Sequence, residues 1–161
     1  MLATVINSLA LQSALQSVGI KSKVLSGLAV EPIAERVSSQ KAISSLESGE
    51  VVILAGGTGN PFFTTDTAAA LRSIEIHADA LLKGTRVDGV YSADPEKDPS
   101  ATKFNELTFE DAYIKGLNIM DMTAFTLCSE NEMPVIVFDV HKAGNLQKIL
   151  SGDNCGTLIH V

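Results

Sequence analysis

Apolar residues at positions 2, 5, 6, 9 and 15 recur at helical spacing, and Gly19 supplies a C-terminal stop. The pattern predicts an amphipathic helix over 2–18. Lys23 to Leu28 reads as a short strand, Glu31-Pro32 as the start of a loop, and 34–48 as a second amphipathic helix ended by Gly49. Val51 to Leu54 is an apolar run of strand length, and Thr64 to Ala78 is the next helical stretch. Asp79 to Lys83 reads as a buried strand. Residues 85–103 carry no hydrophobic period and read as a long loop. Thr108 to Ile114 and Asp121 to Asn131 are helical, and Pro134 to Val140 is the clearest strand. A short helix over Gly144 to Leu150 and a strand over Thr157 to Val161 close the chain. Strands alternating with helices predict an α/β fold with a mainly parallel sheet covered on both faces. No repeat or linker divides it, so a single domain is expected.

The connection after the strand at 51–54, VVILAGGTGNPFFTTD, changes the picture from fold to chemistry. Gly56, Gly57 and Gly59 permit positive φ and let a ligand approach the backbone, while threonines stand at the start of a helix. Such a loop can hold a phosphate; it can equally be a capped strand-to-helix turn. It is no Walker A loop, because no Gly-Lys-Ser/Thr follows. A dinucleotide fingerprint fails as well, since Phe62 stands where a third small residue belongs. The 85–103 loop holds the turn signals Asp88-Gly89, Asp94-Pro95 and Asp98-Pro99. Loops of that length are usually functional, and both loops follow strands, the ligand-binding edge of open α/β sheets.

Composition narrows the partners. A formal net charge of −7 argues against a nucleic-acid surface, which needs a basic stripe, but not against a nucleotide. No apolar run is long enough to span a membrane, and the N-terminal segment lacks the basic region of a signal peptide. Cys128 and Cys155 have neither metal nor redox spacing, as expected of thiols in a reducing cytoplasm. His77, His141 and His160 are scattered, and Met120, Met122 and Met133 read as core or interface filling.

Three strings in order, GTGNPFFTTD at 57–66, DALLKGTRVDGVYSADPEKDP at 79–99 and MDMTAFTL at 120–127, resemble the bacterial uridylate kinases (UMP kinases) of the amino-acid-kinase superfamily. The likeness extends from MLATVINSLALQSAL at the start to GTLI at 156–159. It implies an αβα sandwich around a mainly parallel sheet, and transfer of the ATP γ-phosphoryl group to UMP with Mg²⁺. Carried across, Thr58, Gly59, Asn60, Pro61, Phe62, Phe63, Thr64 and Thr65 would contact UMP. Thr85, Tyr91 and Asp94 would contact ATP, with Asp121 near the ATP side. Asp66 would orient catalytic cations and Lys83 would face the phosphates; otherwise Asp66 is a first-turn acid favoured by the helix dipole and Lys83 snorkels to the surface. No metal site of the protein's own is implied. The family is hexameric, often inhibited by UTP and activated by GTP; Ser13 and Glu50 stand where some relatives carry the Asp and Arg associated with GTP control.

Family members also carry a further N-terminal segment with a K-x-S-G-E loop and a G-G-G-N loop that grip the ATP phosphates. Neither string occurs here; Lys23 to Gly27 is similar only superficially. The resemblance therefore implies little kinase activity for this chain alone, unpaired sheet edges and exposed apolar faces. A competing reading is a non-catalytic module that binds UMP or UTP. Acetylglutamate and carbamate kinases are disfavoured by the paired Phe and Thr of the GNPFFTTD string.

Overall fold

In the computed structural model, which describes residues 1–161, the chain forms two units, Met1–His77 and Ala78–Val161. The first begins with α1 (Leu2–Ser17), which stops where Gly19 takes φ of +79°. It continues through β1 (Ser22–Ser26), β2 (Glu35–Arg36), α2 (Ser39–Glu47), β3 (Val51–Ala55) and α3 (Thr65–Glu75). The strands lie in the order β2-β1-β3, all parallel, with Ser22 opposite Val51 through Ser26 opposite Ala55. Val5, Val24, Ala34, Ile53 and Ala55 form the core of this unit, with Leu9 and Leu15 of α1 packed against it. Each large aliphatic side chain buried there contributes roughly 1.5–3 kcal/mol.

Two expectations are corrected in this unit. The buried stripe of α1 is narrower than its apolar positions: Leu2 and Ile6 are 63% and 68% exposed. Ile6 sits about 100° around the helix from the buried Val5, off the 5-9-15 stripe. The helix expected over 34–48 also starts late. Glu35 and Arg36 extend beside β1, with the Val37 amide bonded to the Ser26 carbonyl at 2.8 Å, and Ser38 then caps α2. Two residues are too few to show a period, so this strand is invisible to pattern reading.

The second unit comprises β4 (Leu81–Thr85), β5 (Glu106–Thr108), α4 (Phe109–Ile114), α5 (Met122–Glu130), β6 (Val135–Asp139), α6 (Asn145–Leu150) and β7 (Thr157–His160). Its strand order is β4-β6-β7-β5; β4–β6 and β5–β7 are parallel, and β6–β7 is antiparallel. The apolar run of β6 is buried at Val135, Val137 and Phe138, as its sequence predicts. Strand β4, expected to be buried, is only half-buried. Phe109 and Phe125 meet edge to face with centroids 5.2 Å apart, fixing α4 on α5. Four of the five strand pairings are parallel, so the chain is α/β with mostly parallel pairing. No helix is long and apolar enough to cross a membrane.

Candidate functional site

In the first unit the glycine-rich loop runs from the end of β3 to the start of α3. Gly56, Gly57, Gly59 and Phe62 all take positive φ, so the chain reverses in very few residues. The loop is held from below by residues that local sequence reading does not point to. Gly56 N–H donates to the Thr4 hydroxyl at 2.9 Å, and Gly27 N–H donates to the Ala55 carbonyl at 2.8 Å. A Cβ on Gly59 would lie 2.3 Å from the Gly27 carbonyl oxygen, so the two glycines pass backbone against backbone. Thr4 and Gly27 thus support the loop from far along the chain, and only the tertiary fold reveals them.

The loop's tip is folded on itself. Asn60 N–H donates to the Thr58 hydroxyl at 3.1 Å, and Gly59 N–H donates to the Gly56 carbonyl at 3.2 Å. The Thr64 hydroxyl accepts from Thr67 N–H at 3.1 Å and caps α3, which also carries Asp66 in its first turn. Asn60, Pro61, Phe62, Phe63, Thr64 and Thr65 are all exposed, and Phe62 completely so. Beside them a cavity of about 350 Å³ opens between β3 and α3, and of the predicted contact residues only Thr65 borders it, next to Gly57 and Arg72. Thr58 to Thr64 form a surface rather than a pocket wall.

The second unit has a cavity of about 470 Å³ between the segment after β4 and the α4–α5 connection. Thr85, Tyr91 and Asp94 all line it, so three residues picked from the resemblance converge on one space. Lys115 and Asn118 join them and were not anticipated; Lys115 is the cation of the lining and reaches Asp111 at 3.4 Å. Asp121 lies elsewhere, at a neighbouring cavity, where its carboxylate accepts from Thr123 and Ala124 N–H at 3.0 and 3.1 Å and caps α5. Lys83 sits mid-strand in register with Val137 and is half-buried.

The cavity wall is braced through Thr157, which is completely buried. Its hydroxyl accepts from Val90 N–H at 2.8 Å and donates to the Phe104 carbonyl. Phe104 N–H in turn donates to the Val90 carbonyl at 2.9 Å, and Ser92 N–H to the Thr102 carbonyl at 2.9 Å. The expected long loop is therefore a hairpin-like excursion in its middle, pinned to β7.

Electrostatics along this excursion are local. Lys97 beside Asp94, aided by Glu96 N–H, holds the Asp94 carboxyl below the usual range. The Tyr91 hydroxyl donates to Asp88 at 2.7 Å; that bond lowers the Asp88 carboxyl, with help from Lys103, and raises the Tyr91 phenol above its ordinary value. Their pairing is intact between the depressed carboxyl and the raised phenol. It is lost as acid protonates Asp88, and again as alkali passes the raised phenol value. In a Tyr113→Phe background, leaving Tyr91 as the sole tyrosine, ultraviolet titration is expected to find phenol ionisation above about pH 10. Adding Asp88→Asn is expected to return it towards the ordinary value; no downward move would contradict the pairing.

The remaining chemistry is unremarkable. Burial pushes the Cys128 thiol up to about 11, so it stays protonated and unreactive near neutral pH. His160 faces Glu106 at 2.7 Å across β7 and β5. No three His, Cys, Asp or Glu side chains converge as metal ligands.

The amino acid kinase family model matches residues 1–139. The uridylate kinase of Parabacteroides distasonis is 61% identical over 160 residues, covering 99% of this chain and 68% of that protein. That of Porphyromonas gingivalis is 59% identical over 159 residues, covering 99% of this chain and 66% of the relative. Among solved structures, UMP kinase from Bacillus anthracis matches with a TM-score of 0.96 at 34% identity, over 99% of this chain and 66% of its own. UMP kinase from Ureaplasma parvum matches with a TM-score of 0.96 at 36% identity, over 100% and 69%. The chain thus spans about two thirds of the length of these relatives.

Proposed function

This chain belongs to the amino acid kinase family, and on that premise we propose that it is a UMP kinase, passing the γ-phosphoryl group of ATP to UMP to give UDP and ADP. The observation that carries the reading is its 61% identity to a uridylate kinase over nearly its whole length. In support, Thr85, Tyr91 and Asp94 share one cavity. Both units are read as parts of one amino-acid-kinase domain.

Phosphoryl transfer needs in-line placement and positive charge on the equatorial oxygens more than covalent chemistry. The glycine loop takes the acceptor. The exposed Phe62 and Phe63 offer rings to the uracil, Asn60 its amide, and Thr58, Thr64 and Thr65 their hydroxyls to ribose or phosphate, with Gly59 and Pro61 shaping the approach. Asp66 is too close to this surface to bind phosphate without repulsion, so we assign it to orienting catalytic cations, and Lys83 to facing the phosphates. The second unit's cavity takes ATP. With its hydroxyl committed to Asp88, Tyr91 contributes its ring rather than a hydrogen bond. Asp121, a helix cap, supports the α5 end of that region. A Mg²⁺ ion arriving with ATP would supply positive charge to its phosphates. Pyrimidine nucleotide synthesis in the cytoplasm, a hexameric assembly, inhibition by UTP and an effector role for GTP complete the proposal.

Equilibrium binding tests each unit separately from turnover. Calorimetric titration is expected to find saturable binding of UMP, preferred over CMP and AMP, and saturable binding of MgATP, with UDP formed only slowly, as followed by phosphorus NMR, when both are present. No saturable UMP binding would overturn the reading, and UMP binding without any UDP would reduce it to a nucleotide-binding module.

A further inference from the structure

A chain of contacts links a lysine outside the ATP cavity to the aromatic residue that lines it. Tyr91 and Lys103 lie opposite each other across an isolated antiparallel bridge, on the two arms of the excursion after β4. From there the Lys103 side chain crosses closely over Gly89: a Cβ on Gly89 would lie 2.6 Å from its Cε. The ammonium reaches Asp88 Oδ2 at 3.1 Å, while Asp88 Oδ1 accepts the Tyr91 hydroxyl at 2.7 Å. Tyr91 lines the cavity; Asp88 and Lys103 do not.

We propose that Lys103 is a positioning residue for the ATP cavity, fixing the Tyr91 ring through Asp88 without touching the nucleotide. This rests on the reading that the cavity binds ATP. A tyrosine on an exposed excursion has two freely rotating side-chain torsions, and a ring that must be ordered on binding costs affinity. Anchoring its hydroxyl to a carboxylate removes that freedom beforehand, and the lysine holds the carboxylate in turn. The Lys103 side chain is 28% exposed and lies against Gly89, so its alkyl part has a packing role that must be kept when the charge is tested.

The test is a double-mutant cycle on the full chain with MgATP and UMP titrated separately. Lys103→Met keeps an unbranched stem over Gly89 and removes the charge. It is expected to weaken MgATP binding about three- to tenfold, the size of one partly exposed charge-assisted link, leaving UMP binding and the melting temperature unchanged. Tyr91→Phe is expected to weaken MgATP similarly, and the double variant to be no weaker than Tyr91→Phe alone. Lys103→Arg should restore wild-type affinity, and Asp88→Asn should reproduce the loss. The inference is overturned if Lys103→Met leaves MgATP affinity unchanged, if the two effects multiply, or if UMP affinity falls in parallel. If the unaltered chain binds no MgATP, the cavity assignment itself fails and takes this inference with it; if it binds MgATP and only the variants disagree, the assignment stands.

Discussion

Replacing Gly59 by alanine is expected to destroy UMP binding, whereas the same change at Gly57, two residues away, is expected to be mild. Both glycines have positive φ, +63° at Gly57 and +80° at Gly59, so an alanine at either costs about 1–2 kcal/mol of backbone strain. The difference is space. A Cβ at Gly57 meets nothing within 4 Å, but at Gly59 it would stand 2.3 Å from the Gly27 carbonyl oxygen. That neighbour is backbone at the end of a strand register shared with β3, so it cannot swing aside as a side chain would. The loop must lift instead, breaking the Gly59–Gly56 turn and carrying Thr58, Asn60 and the Phe pair with it. We expect UMP affinity to fall by on the order of a hundredfold or more, about 2.7 kcal/mol, in Gly59→Ala, and by less than about threefold in Gly57→Ala. Titration calorimetry with thermal melts of both proteins checks this. Equal UMP affinities for the two variants would contradict the backbone crossing. Gly27→Ala should resemble Gly59→Ala, since its Cβ would lie 2.5 Å from the Gly57 carbonyl oxygen.

That contrast also marks where sequence reading stops. The glycine run, the threonine cap at Thr64 and the stops at Gly19 and Gly49 are local signals written within a few residues, and the structure matches them. The parallel α/β class follows from strand and helix lengths in the same way. Gly27 is different: nothing next to it announces a crossing with a loop thirty residues later. Thr4, whose hydroxyl takes the Gly56 amide, is separated from it by 52 positions and looks like any helical threonine. The short strands Glu35–Arg36 and Glu106–Thr108 are fixed by partners rather than by their own pattern. Tyr91 was legible as a cavity residue through resemblance. That its hydroxyl is already spent on Asp88 was not, because pairings of exposed charges depend on the turn that brings them together.

Thr157→Val is expected to be strongly damaging to the second unit, although it preserves side-chain shape. Valine replaces a hydroxyl that satisfies two backbone groups at once, the Val90 amide and the Phe104 carbonyl, at a residue with no solvent exposure. Each group left without a partner in the interior costs about 1–3 kcal/mol, so a loss of roughly 2–4 kcal/mol is expected in denaturant titration. Water cannot readily compensate, because Gly89 packs so closely that a Cβ there would come within 2.5 Å of the Thr157 hydroxyl. The damage should also be directional. The Phe104–Val90 bond at 2.9 Å keeps the two arms paired, so the excursion survives as a hairpin but loses its Thr157 anchor, held to β7 only further along, where Leu158 N–H donates to the Asn105 carbonyl at 3.0 Å. MgATP affinity, which depends on where Tyr91 and Asp94 are held, is then expected to fall on the order of tenfold, while UMP affinity in the other unit is retained. Thr157→Ser keeps the hydroxyl and loses one methyl, costing about 1 kcal/mol, and should bind MgATP like the unaltered chain. A valine variant as stable as the serine variant, or one losing UMP as much as MgATP, would contradict the role assigned to this hydroxyl.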